Sequence, residues 1–336
     1  MVPLTLMARL LEAVRPSARL VLVGDPDQLA SVEAGAVLGD IVGPAAERLM
    51  LSATAREAVA EVTGQSLPAS DPPADAAVAD GIVVLRHVHR FGGAIAELAH
   101  AVQRGDADAA VAVLSGKPDN VVWLPADVAR TGHDLGPVRH AVVTAGTAVT
   151  TAARAGEGRD ALAALGSFRL LCAHRRGPYG VSVWTAHVER WLAAGVDGFA
   201  SGTGWYVGRP LLVTENDYGL RLYNGDTGVV VAHGNAGAVR AVFERRGDLL
   251  ELSPQRLGSV DTVYAMTVHK AQGSQFDEVA VLLPDPTSPI LTRELLYTAI
   301  TRARRRLILA GTEETVRSAV LRPITRASGL RSWLWD

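Results

Sequence analysis

The text that decides the fold is Thr267-Val268-His269-Lys270-Ala271-Gln272-Gly273-Ser274-Gln275-Phe276, followed by Tyr297-Thr298-Ala299-Ile300-Thr301-Arg302-Ala303-Arg304. Each stretch sits beside an apolar run with the length of a buried strand, residues 279–283 after the first and 307–310 after the second. Polar and basic residues crowded at the ends of buried parallel strands are where α/β proteins hold ligands. An α/β fold with a parallel sheet is the expectation.

Working outward, the 336 residues suffice for two domains, or for one domain split by an insertion. Hydrophobic residues make up 48% and aromatics 5%, so the core must be built from Ala, Val and Leu. Lys117 and Lys270 are the only lysines; the bias toward Arg fits a GC-rich coding sequence. A formal charge of −2 gives no global nucleic-acid signal, so any DNA contact must be local. The single cysteine, Cys172, lies inside the apolar run 168–173 and reads as a buried structural thiol. It argues against disulfides and thiolate metal sites and for a reducing compartment. His133 and His140 lack metal-ligand spacing, so no metal site is expected. No apolar run has the length of a membrane span and the N-terminus has no signal-peptide pattern, so a soluble cytoplasmic protein with no membrane partner is expected.

In chain order, Leu4, Met7, Leu10, Leu11 and Val14 share one helical face, and Pro16 ends the pattern. Residues 19–23 read as a short strand running into Gly24-Asp25-Pro26-Asp27-Gln28-Leu29. Residues 52–80 read as a long, partly mobile connection with one weak helix, and 82–85 as a possible strand. After His89-Arg90-Phe91, the spacing of Ile95, Leu98, Ala99 and Val102 predicts a helix. Residues 106–165 are Ala-rich and helical, interrupted at Pro118, Pro125, Gly132 and Pro137, with a possible strand at 121–124. A strand at 168–173 precedes the basic turn His174-Arg175-Arg176-Gly177 and a helix through Trp191. Between 201 and 260, short β-type runs (205–209, 211–214, 229–232, 238–243, 249–252) alternate with turn dipeptides. Asn224-Gly225 predicts a hairpin, because both central positions of a type I′ turn need positive φ.

Both opening stretches, in this order, resemble motifs V and VI of superfamily 1 DNA helicases, and the text 24–40 resembles motif III of the RecD (alpha) subunits of RecBCD-type exonuclease V. The resemblance implies P-loop NTPase (RecA-like) helicase lobes, the first incomplete, with a small SH3-like β-barrel insertion. It divides the chain into a first-lobe remnant at 1–85, a second lobe at 86–200 and 258–336, and the insertion at 201–257. It implies that Gln28 senses the γ-phosphate, with Asp25 beside the nucleotide; a turn residue capping the next helix is the alternative for Gln28. His89-Arg90 resembles motif IV, implying a phosphate contact from Arg90 and a base contact from His89, where the family usually has Tyr. Arg302 matches the family's arginine finger, a group worth on the order of 10³–10⁵ in phosphoryl-transfer rate; a helix C-terminal cation is the alternative. Gly273 and Gln275 are implied near the nucleotide, Gln275 standing where the family commonly has Glu. Thr267 and His269 match positions that contact DNA phosphates, and Lys270 suits DNA or a carboxylate. Arg175 and Arg176 suit DNA contact or a solvated turn.

No Gly-x-x-x-x-Gly-Lys-[Ser/Thr] string occurs, nor an Asp-Glu pair following its strand, since Asp277-Glu278 precede theirs. Against the family pattern the chain is expected to begin just after motif II, through truncation or choice of a fragment. The implied function is part of an ATP- and Mg2+-dependent 5′→3′ helicase subunit acting on single-stranded DNA and DNA ends beside RecB- and RecC-like subunits, inactive alone. Alternatives are a non-catalytic remnant that binds single-stranded DNA or partner subunits, and a piece of a stand-alone RecD2-like or TraA-like helicase.

Overall fold

The computed structural model describes residues 2–30, 36–68, 78–85, 91–130, 135–200, 202, 204–234, 237–324 and 329–335. They form two compact units, Met1–His89 with Pro323–Asp336, and Arg90–Arg322.

In the first unit the helices are α1 (Leu4–Ala13), α2 (Val37–Val42), α3 (Ala53–Thr63) and, from the far end of the chain, α11 (Leu330–Trp335). Ser52 caps α3 by accepting the Ala55 N–H, and Gly64 ends it at φ +70°. A small core gathers Ala45, Met50, Ala79 and Trp335. The Trp335 indole N–H is shared by the carbonyls of Asp40 and Ile41, both at 3.2 Å. The segment expected to end the second lobe at 336 thus packs into the first unit at its end, because Trp335 finds its acceptors there.

Two expected strands are not strands. Residues 19–23 and 82–85 are extended or irregular and unpaired in any ladder, and Val23 is 94% exposed. A strand needs a hydrogen-bonded neighbour, and the described residues of this unit contain none. The α1 stripe is likewise mostly open, with only Met7 buried.

The second unit begins with α4 (Ala94–Arg104), which buries its expected stripe of Ile95, Leu98, Ala99 and Val102. Then come α5 (Ala107–Ser115), β1 (Val121–Leu124), α6 (Gly136–Arg154), α7 (Gly158–Ser167), β2 (Phe168–Cys172) and α8 (Val181–Gly195). Pro137 opens α6 instead of breaking it, since the first turn has no N–H partner to lose. After β3 (Pro210–Val213), β4 (Thr227–Ala232), β5 (Val239–Arg245), β6 (Asp248–Leu252) and β7 (Val260–Thr262), the chain resumes with β8 (Ala265–Thr267), β9 (Phe276–Leu282), α9 (Arg293–Ile300), β10 (Ala303–Ala310) and α10 (Glu313–Leu321).

The core sheet is parallel in the order β1-β10-β9-β2-β8. On one face Leu170, Cys172, Ala280, Leu282 and Ile308 pack with Trp184, Val188 and Leu192 of α8 and Val138 and Val142 of α6. Burial of β9 and β10 on both faces explains why their apolar runs are continuous. Asp277 and Glu278 lie inside β9, not before it.

The insertion between α8 and β8 is a five-stranded antiparallel sheet in the order β6-β5-β4-β3-β7. Its pairing runs past the expected limit of 257, through Val260–Thr262 on the edge of β3. Residues 205–209 are turns, not a strand. Asn224-Gly225 is a turn of a different type: only Gly225 has positive φ, +98°, and the Asp226 N–H closes onto the Tyr223 carbonyl at 2.9 Å. That is the pattern of a type II turn. The two-residue hairpin with both central φ positive is Arg246-Gly247, at +52° and +90°, joining β5 to β6.

Candidate functional site

The segment that follows Thr267 is a crossover spanning the height of the sheet. Thr267 stands level with Cys172, and Cys172 with Leu282, at the carboxyl ends of the strands. Phe276 pairs with Ala303 at the opposite, amino ends. From Phe276 to Leu282 a strand climbs about 20 Å at ~3.3 Å per residue. One short piece of chain, 268–275, therefore joins the two edges. Tight turns hold it: the Val268 N–H donates to the Cys172 carbonyl (3.0 Å), the Ala271 N–H to Thr267 (3.1 Å) and the Ser274 N–H to Ala271 (3.1 Å).

At the carboxyl edge, Thr267 is buried, and its Oγ1 accepts the Lys270 N–H at 3.2 Å. His269 is half-buried and Lys270 exposed. The turn after β2 reaches the same edge, bringing exposed Arg175 and Arg176 there. The His174 ring, through Nε2, shares a 3.0 Å hydrogen bond with Ser288 Oγ in the loop beyond β9. Nearby, burial first and then the hydrogen bond to Asp127 push the Tyr179 phenol up to about 12. The carboxyl edge thus carries cations, imidazoles and a hydroxyl, a set suited to polyanion backbone.

At the amino edge, Gly273 is exposed at φ +81° with open space where a Cβ would stand. Arg302 is 3% exposed. Its Nε donates to the Thr298 carbonyl (3.0 Å), Nη1 to the Ser274 carbonyl (3.0 Å) and Nη2 to Thr301 Oγ1 (3.3 Å). The Phe276 N–H donates back to the Arg302 carbonyl at 2.9 Å. Arg302 therefore clamps the crossover to the end of α9. Exposed Arg304 donates through Nε to Gln275 Oε1 at 3.4 Å. Ligand-type residues at the amino edge were not what a carboxyl-edge rule for α/β sheets leads one to expect.

In the first unit, Asp25 organises its own turn: Oδ1 accepts the Asp27 N–H (3.1 Å) and Oδ2 the Gln28 side-chain amide (2.8 Å). Gln28 and Asp25 are both half-buried. His89 and Arg90 lie outside the described residues. Among the described residues no group of three His, Cys, Asp or Glu side chains is placed to hold a metal.

The UvrD-like helicase C-terminal domain model matches residues 262–310, which hold both edges of the crossover and the Arg302 clamp, and an AAA domain model matches residues 1–70. The chain is 48% identical over 334 residues to the RecBCD enzyme subunit RecD of Mycolicibacterium smegmatis, covering 99% of this chain and 52% of that one. Over nearly its whole length the chain is similar to RecD subunits of RecBCD enzymes. The Mycobacterium tuberculosis RecD is also 48% identical, over 98% of this chain and 51% of its own length. The ATP-dependent RecD2 DNA helicase of Deinococcus radiodurans is 29% identical over 94% of this chain and 36% of that one. The chain spans about half the length of the two curated RecD relatives. Among solved structures, a Bacteroides Pif1 helicase with ADP-AlF3 and ssDNA aligns over 70% of this chain and 53% of that one, at 13% identity and TM-score 0.37.

Sequence reading placed Thr267, His269 and Lys270 together, and Gly273, Gln275 and Arg302 together, but not at opposite ends of one sheet. It missed His174 and Arg304. The signal for His174 was available: it lies two residues beyond the strand that pairs with the one ending at Thr267.

Proposed function

We propose that this RecD-like chain contributes the arginine-bearing lobe of an ATP-dependent 5′→3′ DNA helicase subunit of a RecBCD-type enzyme. The observation that carries the reading is the single crossover joining a cationic edge to the Arg302 clamp. Thr267, His269, Lys270, Arg175 and Arg176 take the phosphates of single-stranded DNA at the carboxyl edge. At the amino edge, Arg302 acts as the finger toward a γ-phosphate, with Arg304, Gly273 and Gln275 beside it. To reach a phosphate, the Arg302 guanidinium must leave the carbonyls of Ser274 and Thr298. A shift of the crossover on DNA binding weakens that hold, which makes hydrolysis sensitive to DNA.

The residues present fit one side of an ATP and Mg2+ site and not the whole of it. Guanidinium groups for the terminal phosphate are here; the glycine-rich cradle with its Lys and Ser or Thr is not in this sequence. ATP with Mg2+, when bound in the complete motor, supplies the phosphoryl group whose transfer drives stepping. Nucleotide contacts for Gln28, Asp25, Arg90 and His89 rest on the resemblance to RecD alone. The partners are RecB- and RecC-like subunits at DNA ends. This chain alone binds single-stranded DNA without hydrolysing ATP.

The test compares ATP hydrolysis by a reconstituted three-subunit enzyme whose RecD-type subunit joins this sequence to a glycine-rich phosphate cradle, with Arg302 kept or replaced, Arg302→Lys. The proposal expects loss of DNA-stimulated turnover attributable to this subunit, on the order of 10³-fold, with single-stranded DNA binding kept. Unchanged turnover contradicts the finger assignment. ATP hydrolysis by this chain alone contradicts the assignment of the phosphate cradle to residues outside it.

A further inference from the structure

We propose that the cavity between the parallel-sheet core and the inserted sheet binds a small apolar monocarboxylate, with Arg169 as its counterion. The cavity measures about 50 Å³. A void needs ~10–15 Å³ to hold one water, so this one admits a ligand of a few heavy atoms. Val142 and Val149 of α6, Leu165 of α7, Leu192 of α8 and Phe199 make most of its wall apolar. No acidic side chain stands in the wall among the described residues.

Arg169, on β2, is a wall residue and only 2% exposed. Its Nη1 donates to the Val263 carbonyl at 3.1 Å and its Nη2 to the Leu165 carbonyl at 3.3 Å. Both acceptor residues also line the cavity, which sets the guanidinium at its side. The charge lies over the Phe276 ring, 4.9 Å from its centroid. Leu165 belongs to the last turn of α7, whose carbonyl end offsets part of the positive charge. No carboxylate completes the compensation among the described residues, and Nε is buried with no acceptor. Burial pushes the Arg169 pKa down to about 10, so the group stays charged at neutral pH. An enclosed cation with an idle N–H is costly. A carboxylate in the adjoining space supplies both a charge and an acceptor, while its short tail contacts the aliphatic wall. Phosphate suits the site poorly: a dianion meets one cation, and the wall adds only the hydroxyls of Thr150 and Tyr264, the latter already bonded to the Tyr206 hydroxyl.

The site joins α6, α7 and α8 to Pro210 and Val263, where the chain enters and leaves the inserted sheet. Occupancy stiffens that junction. The inference is independent of the helicase reading.

The experiment is thermal unfolding of the chain at fixed pH and ionic strength with propionate or butyrate, against chloride, phosphate and 1-butanol. The carboxylate is expected to raise the midpoint by roughly 3 °C at ten times its dissociation constant. The rise should grow with the logarithm of concentration. Butanol and phosphate should not reproduce it. Arg169→Met should abolish it, and Ala164→Leu, which keeps the guanidinium and fills the space, should abolish it too. If Arg169→Met does not fold, Ala164→Leu decides. The proposal is overturned by no carboxylate shift, by an equal shift with butanol, by stabilisation from phosphate alone, or by persistence of the shift in Ala164→Leu.

Discussion

At the residue scale, Arg302 shows why a motif cannot be read only as a ligand. The same guanidinium that matches a finger is the closure of a backbone network, bonded to two carbonyls and a hydroxyl. Replacing it by Ala removes three hydrogen bonds from a buried cation, although the Thr298 carbonyl keeps the Thr301 hydroxyl as a donor at 3.1 Å, a loss of ~1–3 kcal/mol. Urea unfolding should show Arg302→Ala destabilised by about that amount, so its activity loss is interpretable only beside a stability measurement. Cys172 was legible from its apolar neighbours and is fully buried, with its thiol pushed up to about 12 by burial. The folded state therefore holds the proton more tightly than the unfolded chain does. Stability from the neutral thiol is complete below about pH 9, near the ordinary thiol value, and is lost as pH climbs toward 12. Cys172→Ala should flatten the alkaline fall in stability. In the native wild type, iodoacetamide at pH 8 should leave the thiol unmodified and label it fully in urea.

At the element scale, periodicity found what packing enforces. The α4 stripe and the continuous runs of β2, β9 and β10 lie where both faces are covered, and they formed as read. Residues 19–23 have the same strand-like text but no neighbour among the described residues, and composition cannot supply a partner. Turn chemistry failed in an instructive way. Asn-Gly drew the type I′ reading, yet the type I′ geometry falls at Arg246-Gly247, where Arg246 tolerates φ +52°. Because an unbranched cation gains nothing in that region while Asn is favoured there, Arg246→Asn should raise stability by about 0.4–1 kcal/mol. Gly247→Ala, at φ +90°, should lower it by ~1 kcal/mol or more. Calorimetry on the two variants checks both signs.

At the scale of the whole molecule, the residues singled out for DNA and for nucleotide were legible as two groups, but their separation was not. Only strand register shows that Thr267 and Phe276 stand at opposite ends of the sheet. If the carboxyl edge takes DNA phosphates, binding of oligothymidine should weaken with salt at about 0.7 per phosphate contact on a log–log plot. Lys270→Ala and Arg175→Ala should each flatten the slope by roughly that step, by fluorescence anisotropy. The central claim, that 268–275 links this edge to the Arg302 clamp, is tested most directly by amide hydrogen exchange with and without oligothymidine. The account predicts altered protection at both ends of the segment: the Val268 and Ala271 amides, and the Ser274 and Phe276 amides beside Arg302. Bound DNA with changes confined to the carboxyl end, and none at Ser274 or Phe276, would contradict it.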